Sequence, residues 1–95
     1  MADLDRHLVA PARLKLTTML TAVSEVEFAV LRDGLGVSDS VLSKHVATLA
    51  DAGYVRSRKG THDGRRTTWV ALSPAGRKAL RNHVAALREI IDGLD

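Results

Sequence analysis

A mainly α-helical domain with one small β-hairpin (α+β) is the fold class that the sequence predicts. Three observations lead there. Apolar residues recur at helical spacing in several stretches, each bounded by a capping residue, a proline or a glycine. The stretch from 54 to 72 alternates instead, and Asp63-Gly64 stands within it as a hairpin-turn signal. The 95 residues suffice for a single domain, 1–95, with one core.

Taken in order, Asp3 is placed to cap a short helix carrying Leu4, Leu8 and Val9, which Pro11 closes. Pro11 then opens a second helix running to about Val23, with Ala12, Leu16, Met19, Leu20 and Val23 as its buried stripe. Val26 is expected to make a brief strand contact. Phe28 to Leu35 forms a third helix, with Phe28, Leu31 and Leu35 on one face, ended by Gly34 and Gly36. Ser38 caps the next helix, Asp39 sits at the positive end of its dipole, and Gly53 stops it after Ala52. At about 100° per residue, Leu42, Val46 and Leu49 share its inner side. The same steps put Ser40, Val41, Lys44, Thr48 and Asp51 on the outer side and His45 on the border.

Tyr54 to Lys59 alternates as a strand, with Val55 and Ser57 to one side and Arg56 and Arg58 to the other. Residues 60–64 form the tip, and Thr67 to Leu72 returns. Trp69, out of phase with Val70 and Leu72, is expected to cover the other sheet face against the last helix. That helix opens at Ser73-Pro74 and runs to about Asp92.

Composition excludes several classes of function. There are no cysteines, hence no disulfide framework, thiolate metal site or cysteine nucleophile. No apolar run approaches the length of a membrane span and the start is not a secretory signal, so a cytoplasmic, nucleoid-associated protein without a membrane partner is expected. The net charge is only +3, but Lys44 to Arg81 holds nine basic residues against two acids, +7, leaving −4 for the remainder. A basic centre between acidic ends suggests one face that meets a polyanion.

Two helices joined by a short glycine-containing turn (28–52), the second capped and polar outside, describe a helix-turn-helix. The basic hairpin after it (55–72) adds a wing. An α-helix fits the major groove, where Ser, Thr, Lys and His find partners on base edges. Ser38 and the free N–H groups at the helix start can hold a phosphate. Arg56, Arg58, Lys59, Arg65 and Arg66 are placed to grip phosphates or enter the minor groove.

The segment from Val37 to Val55, VSDSVLSKHVATLADAGYV, resembles the recognition-helix segment of winged-helix transcriptional regulators of the MarR and ArsR type. Pro11-Ala-Arg-Leu-Lys-Leu, Leu72-Ser-Pro-Ala-Gly-Arg and Ile90-Ile-Asp-Gly-Leu match the short stand-alone members of that group. The resemblance implies a homodimeric, sequence-specific regulator of double-stranded DNA, a repressor on a pseudo-palindromic operator. It carries recognition-helix contacts over to Ser38, Ser40, Val41, Lys44, His45 and Thr48, and wing contacts to Arg65 and Arg66. The chain departs from the group at Arg65-Arg66, where related wings often read Arg-Pro; it gains a cation and loses proline's rigidity.

The final helix (74–93) argues for dimerisation separately. Leu80, Val84, Leu87 and Ile91 form one stripe and Ala79, His83, Ala86 and Ile90 an adjacent one, more than a single core requires. Leu80, His83, Val84, Leu87, Ile90 and Ile91 are therefore the expected dimer interface, with His83 in the seam as a pH-sensitive group. The four histidines lack ligand spacing, so neither metal nor cofactor is expected. Ser43 and His45 cannot face each other on a helix, and no catalytic set remains, so an enzyme is not expected. Two rival readings stay open: a winged-helix module that binds a protein, and a switch with a small-molecule effector at the dimer seam.

Overall fold

The computed structural model describes residues 3–94. Its elements are α1 (Pro11–Leu20), β1 (Val26–Glu27), α2 (Phe28–Leu35), α3 (Asp39–Asp51), β2 (Val55–His62), β3 (Arg65–Leu72) and α4 (Pro74–Asp92). The three strands make one antiparallel sheet in the order β1-β3-β2. Val26 pairs with Val70, and Val55 with Leu72, so one sheet face presents Val26, Val55 and Val70 to the helices. Leu16 and Leu20 of α1, Leu31 of α2, and Leu42, Val46 and Leu49 of α3 close over that face with Leu80 of α4.

Local chemistry sets the boundaries. Among the described residues nothing before Pro11 is helical: the backbone makes one turn, in which Leu8 and Val9 N–H donate to the Asp5 carbonyl. The cap is Asp5 rather than Asp3, its Oδ1 accepting from His7 N–H at 2.8 Å. Pro11 leaves no room for a second turn, because it forces Ala10 into an extended conformation (φ −63°, ψ 123°). Helix α1 stops at Leu20, not Val23. Thr18 and Thr21 hydroxyls bond back to the carbonyls of Leu14 and Thr18, and the chain unwinds into a turn that leaves Val23 exposed. Thr17 is fully buried, its hydroxyl donating to Arg13 and Leu14 carbonyls.

The hairpin is longer than its sequence pattern suggests. Pairing continues to His62↔Arg65, and the turn is Asp63-Gly64 alone, with φ of 52° and 76°. Two positive φ angles define a type I′ turn, whose twist matches that of the strands. The wing therefore has regular geometry without the proline.

Trp69 does lie on the outer sheet face, but it does not meet α4. The Arg58 guanidinium stacks 5.5 Å from its ring centroid, and the His62 ring meets it edge-on at 5.8 Å. Register explains this, since Trp69 is directly opposite Arg58 on the face turned away from the core.

Helix α4 also departs from expectation. Ser73 caps it, accepting from Gly76 N–H at 2.9 Å while its hydroxyl donates to Gly53 O at 2.6 Å. Its first two thirds pack inward through Gly76, Leu80, His83 and Ala86. Leu80 and His83 thus belong to the chain's own interior. His83 is 1% exposed, and its Nδ1 accepts from Asp5 N–H at 2.9 Å, which places the neutral ring's proton on Nε2. Beyond Leu87 the helix projects, and the molecule measures 54 × 25 × 22 Å.

Asp5 ties the N-terminal turn to the domain. Its second carboxylate oxygen accepts from the Tyr54 hydroxyl at 2.5 Å. That bond, with some burial, pushes the Tyr54 phenol up to about 12. A raised value in the folded state stabilises the fold below pH ~10, and the contribution is lost as pH climbs toward about 12. Asp5→Ala is expected to cost about 1–3 kcal/mol in chemical denaturation. It should also return the chain's single tyrosine toward its ordinary titration, read by tyrosinate absorbance. An unmoved titration would show that Asp5 does not hold the phenol.

Candidate nucleic-acid interface

Helices α2 and α3 are joined by a turn at Gly36, which adopts the left-handed conformation (φ 67°) and lets the chain reverse before Ser38. Ser38 Oγ accepts from Val41 N–H at 3.2 Å and lies 3.2 Å from Ser40 Oγ, so this hydroxyl is engaged in starting the helix. The Arg32 guanidinium bridges Asp33 and Asp39 at 3.0 and 2.9 Å, locking the end of α2 to the start of α3. The two carboxylates raise the pKa of Arg32 further, and its charge offsets that of Asp39.

Burial on one side leaves α3 its other side free. Leu42, Val46 and Leu49 are buried, while Ser40, Val41, Ser43, Lys44 and Ala47 are exposed and Thr48 is half-buried. His45 turns away from this face. Its Nδ1 lies 3.3 Å from an Arg13 amino group, and Arg13 Nε also donates to the His7 carbonyl at 2.7 Å. Burial, then the Arg13 charge, lowers the His45 pKa, which favours the neutral ring as it buttresses α3 against α1.

The wing's cations divide between two faces. Alternation from Val70 puts Arg66 and Lys59 on the side facing α3. There Arg66 borders a groove of about 590 Å³ in which Arg66, Ser57 and Thr68 face Ser43, Ala47 and Ala50 across the gap, and Lys59 lines a smaller hollow of about 210 Å³ with Arg66, Thr67 and Thr68. Arg56, Arg58 and Arg65 lie on the opposite face. Arg58 is committed there, donating to both Glu25 carboxylate oxygens at 3.0 and 2.5 Å. Its hydrogen bonds hold the Glu25 carboxyl below the usual range. Farther along that face, the Glu27 carboxylate meets His62 at 3.4 Å and the Thr67 hydroxyl at 3.4 Å.

Ser43, Ala47 and Ala50 thus face Arg66 across the groove, and Ser40, Val41, Lys44 and Thr48 occupy the adjoining outer side of α3. Ser38 stands at its edge, and His45, Arg56, Arg58 and Arg65 point elsewhere. Ser43, Ala47 and Thr68 were not singled out from sequence. Only the sheet's position relative to α3 shows that Ser43 and Ala47 line a groove. No helix among the described residues is long and apolar enough to cross a membrane.

Comparison with known proteins agrees with this architecture. Residues 12–91 match the family model described as a winged helix DNA-binding domain. An uncharacterized protein of Methanocaldococcus jannaschii is 25% identical over 83 residues, covering 87% of this chain and 90% of that one. The structure of a transcriptional regulator homologue from Pyrococcus horikoshii superposes with a TM-score of 0.89 at 26% identity, covering 96% of this chain and 90% of that one. A MarR family transcriptional regulator from Silicibacter pomeroyi superposes with a TM-score of 0.71 at 26% identity, covering 92% of this chain but only 57% of its own. With the helix-turn-helix, the wing and most of its length accounted for, the chain belongs to the winged-helix DNA-binding domain family of transcriptional regulators.

Proposed function

We propose that the chain acts as a homodimer on a pseudo-palindromic site in double-stranded DNA, one α3 helix entering the major groove of each half-site. Occupancy of such a site blocks it to other proteins, which is the action of a repressor. The observation that carries the reading is the outer surface of α3: exposed, made of small side chains and centred on Lys44, with Arg66 across the adjoining groove and Lys59 beside Arg66 on the wing. Dimerisation is supported by the projecting end of α4, where Ile90, Ile91 and Leu94 are 53, 60 and 81% exposed beside the half-buried Leu87 and Val84. A chain this short buries a modest share of its surface alone and gains much from a second copy. Two-fold symmetry would set the recognition helices ~34 Å apart, one turn of DNA.

Lys44, Ser40 and Ser43 are assigned to base edges, Arg66 and Lys59 to phosphates, Arg65 to the wing tip's outer side, and Ser38 to the backbone at the helix start. Arg58 serves to hold the wing to β1. Selection of bound sequences from random duplex DNA tests the reading, with a palindromic motif as the expected result. On the selected site, Lys44→Ala should lose about 1–3 kcal/mol of discrimination against random duplex, whereas Arg66→Ala should weaken both alike and flatten the salt dependence by about one unit. Equal losses on both duplexes for Lys44→Ala would remove Lys44 from sequence reading. Binding that is insensitive to salt, or absent, would favour a protein-binding module.

A further inference from the structure

The side chains that α3 offers to a groove are unusual in what they omit. Adenine is selected by Asn or Gln bonding its N6 and N7, and α3 contains neither. Guanine is selected by Arg or Lys, and α3 supplies Lys44 alone. Cytosine N4 is selected by a carboxylate; Asp39 is held by Arg32, and Asp51 is the last residue of the helix, a turn beyond Ala47 and Thr48. Ser40 and Ser43 bond to donors and acceptors alike and discriminate little. What remains is a set of methyl groups. Val41 is 41% exposed on an otherwise polar face; Thr48, seven residues on, lies on the same flank two turns along, and Ala47 stands exposed toward the wing. All are short enough to let the helix backbone lie close to the bases.

We infer that α3 reads thymine: Val41, Thr48 and Ala47 pack their methyl groups on the C5-methyl groups of thymines in the major groove, selecting an A·T-rich half-site in which Lys44 marks a single guanine. This rests on the DNA-binding reading above and adds its sequence class. The contact is apolar, so its strength follows the methyl area removed from water, about fourfold in affinity for each thymine methyl covered. It makes a mark that hydrogen bonding does not, because uracil pairs as thymine does and differs only in lacking that methyl.

The experiment resynthesises the selected duplex with deoxyuridine in place of thymidine, one position at a time, and measures affinity for the 95-residue chain. Loss of about fourfold at two or three positions per half-site is expected. Val41→Ala should bring the thymine-to-uracil ratio at one of those positions to about one, Thr48→Ser should do so at another, and Lys44→Ala should leave every ratio unchanged. Both first substitutions fall on exposed or half-exposed positions of α3, so thermal melting should match that of the parent chain; a variant with a merely structural defect would weaken thymine and uracil duplexes equally. A selected site bound with equal affinity in its thymine and uracil forms overturns the inference and leaves the DNA-binding reading standing. Failure to retain any duplex overturns both.

Discussion

Gly76→Ala is expected to lower the stability of the domain by about 3 kcal/mol, at the upper end of what overpacking a core costs. Gly76 lies in the first turn of α4, fully against the chain that leaves α3. A Cβ there would run into the Tyr54 carbonyl oxygen, with Leu72 Cδ1 only 2.9 Å away. A side chain could swing aside, but this carbonyl is fixed, because it accepts from Ser73 N–H at 3.0 Å. Relief would require α4 to lift, taking Leu80 and His83 out of the core. A domain of this size holds about 5–14 kcal/mol in all, so the melting temperature should fall by roughly 15 °C. Gly93→Ala makes the control: its added carbon meets only carbonyl oxygens at 3.4 Å, and its effect should stay within about 1 kcal/mol. Equal melting of the two variants would show that the Tyr54 carbonyl yields after all.

The second large effect concerns assembly. Changing Ile90 and Ile91 together to aspartate should leave a folded monomer and abolish high-affinity binding to a palindromic site. Both side chains are more than half exposed, so the domain's own core does not need them. In a symmetric dimer each would be buried once in either protomer, and with just over half of its surface left to cover it would contribute about 1–2 kcal/mol. Four such residues supply an amount comparable to the entropic cost of association, and four aspartates in their place would add unpaired buried charge. Analytical ultracentrifugation should show a single species near 10 kDa with an unchanged melting temperature. A variant that still sediments as a dimer would move the interface away from the end of α4.

Much of the candidate site was legible because its determinants are local. Ser38 as a cap, Gly36 and Gly53 as stops, the Asp63-Gly64 turn and the inner stripe of α3 each depend on residues within a few positions of one another. The misreadings have the opposite character. Asp5 rather than Asp3 caps the N-terminal turn because His83, 78 positions away, and Tyr54, 49 away, hold it in place. Arg58 looked like any wing cation until folding brought Glu25, 33 positions earlier, alongside. On α4, two apolar stripes implied two buried faces, but periodicity cannot show that burial changes along the helix. Leu80 and His83 therefore went to the seam when they belong to the core.

The outer sheet face has a consequence for binding thermodynamics. Glu25, Arg58, Trp69, His62 and Glu27 form a continuous row that fastens β1 to both wing strands. On the DNA-binding reading proposed above, a hairpin secured in this way is expected to keep one shape before and after it meets a duplex. Little conformational entropy is then left to lose on association, and the encounter becomes closer to rigid docking than to coupled folding. Arg66 can occupy the position of a stiffening proline for this reason: the stiffness resides on the opposite face of the same strand.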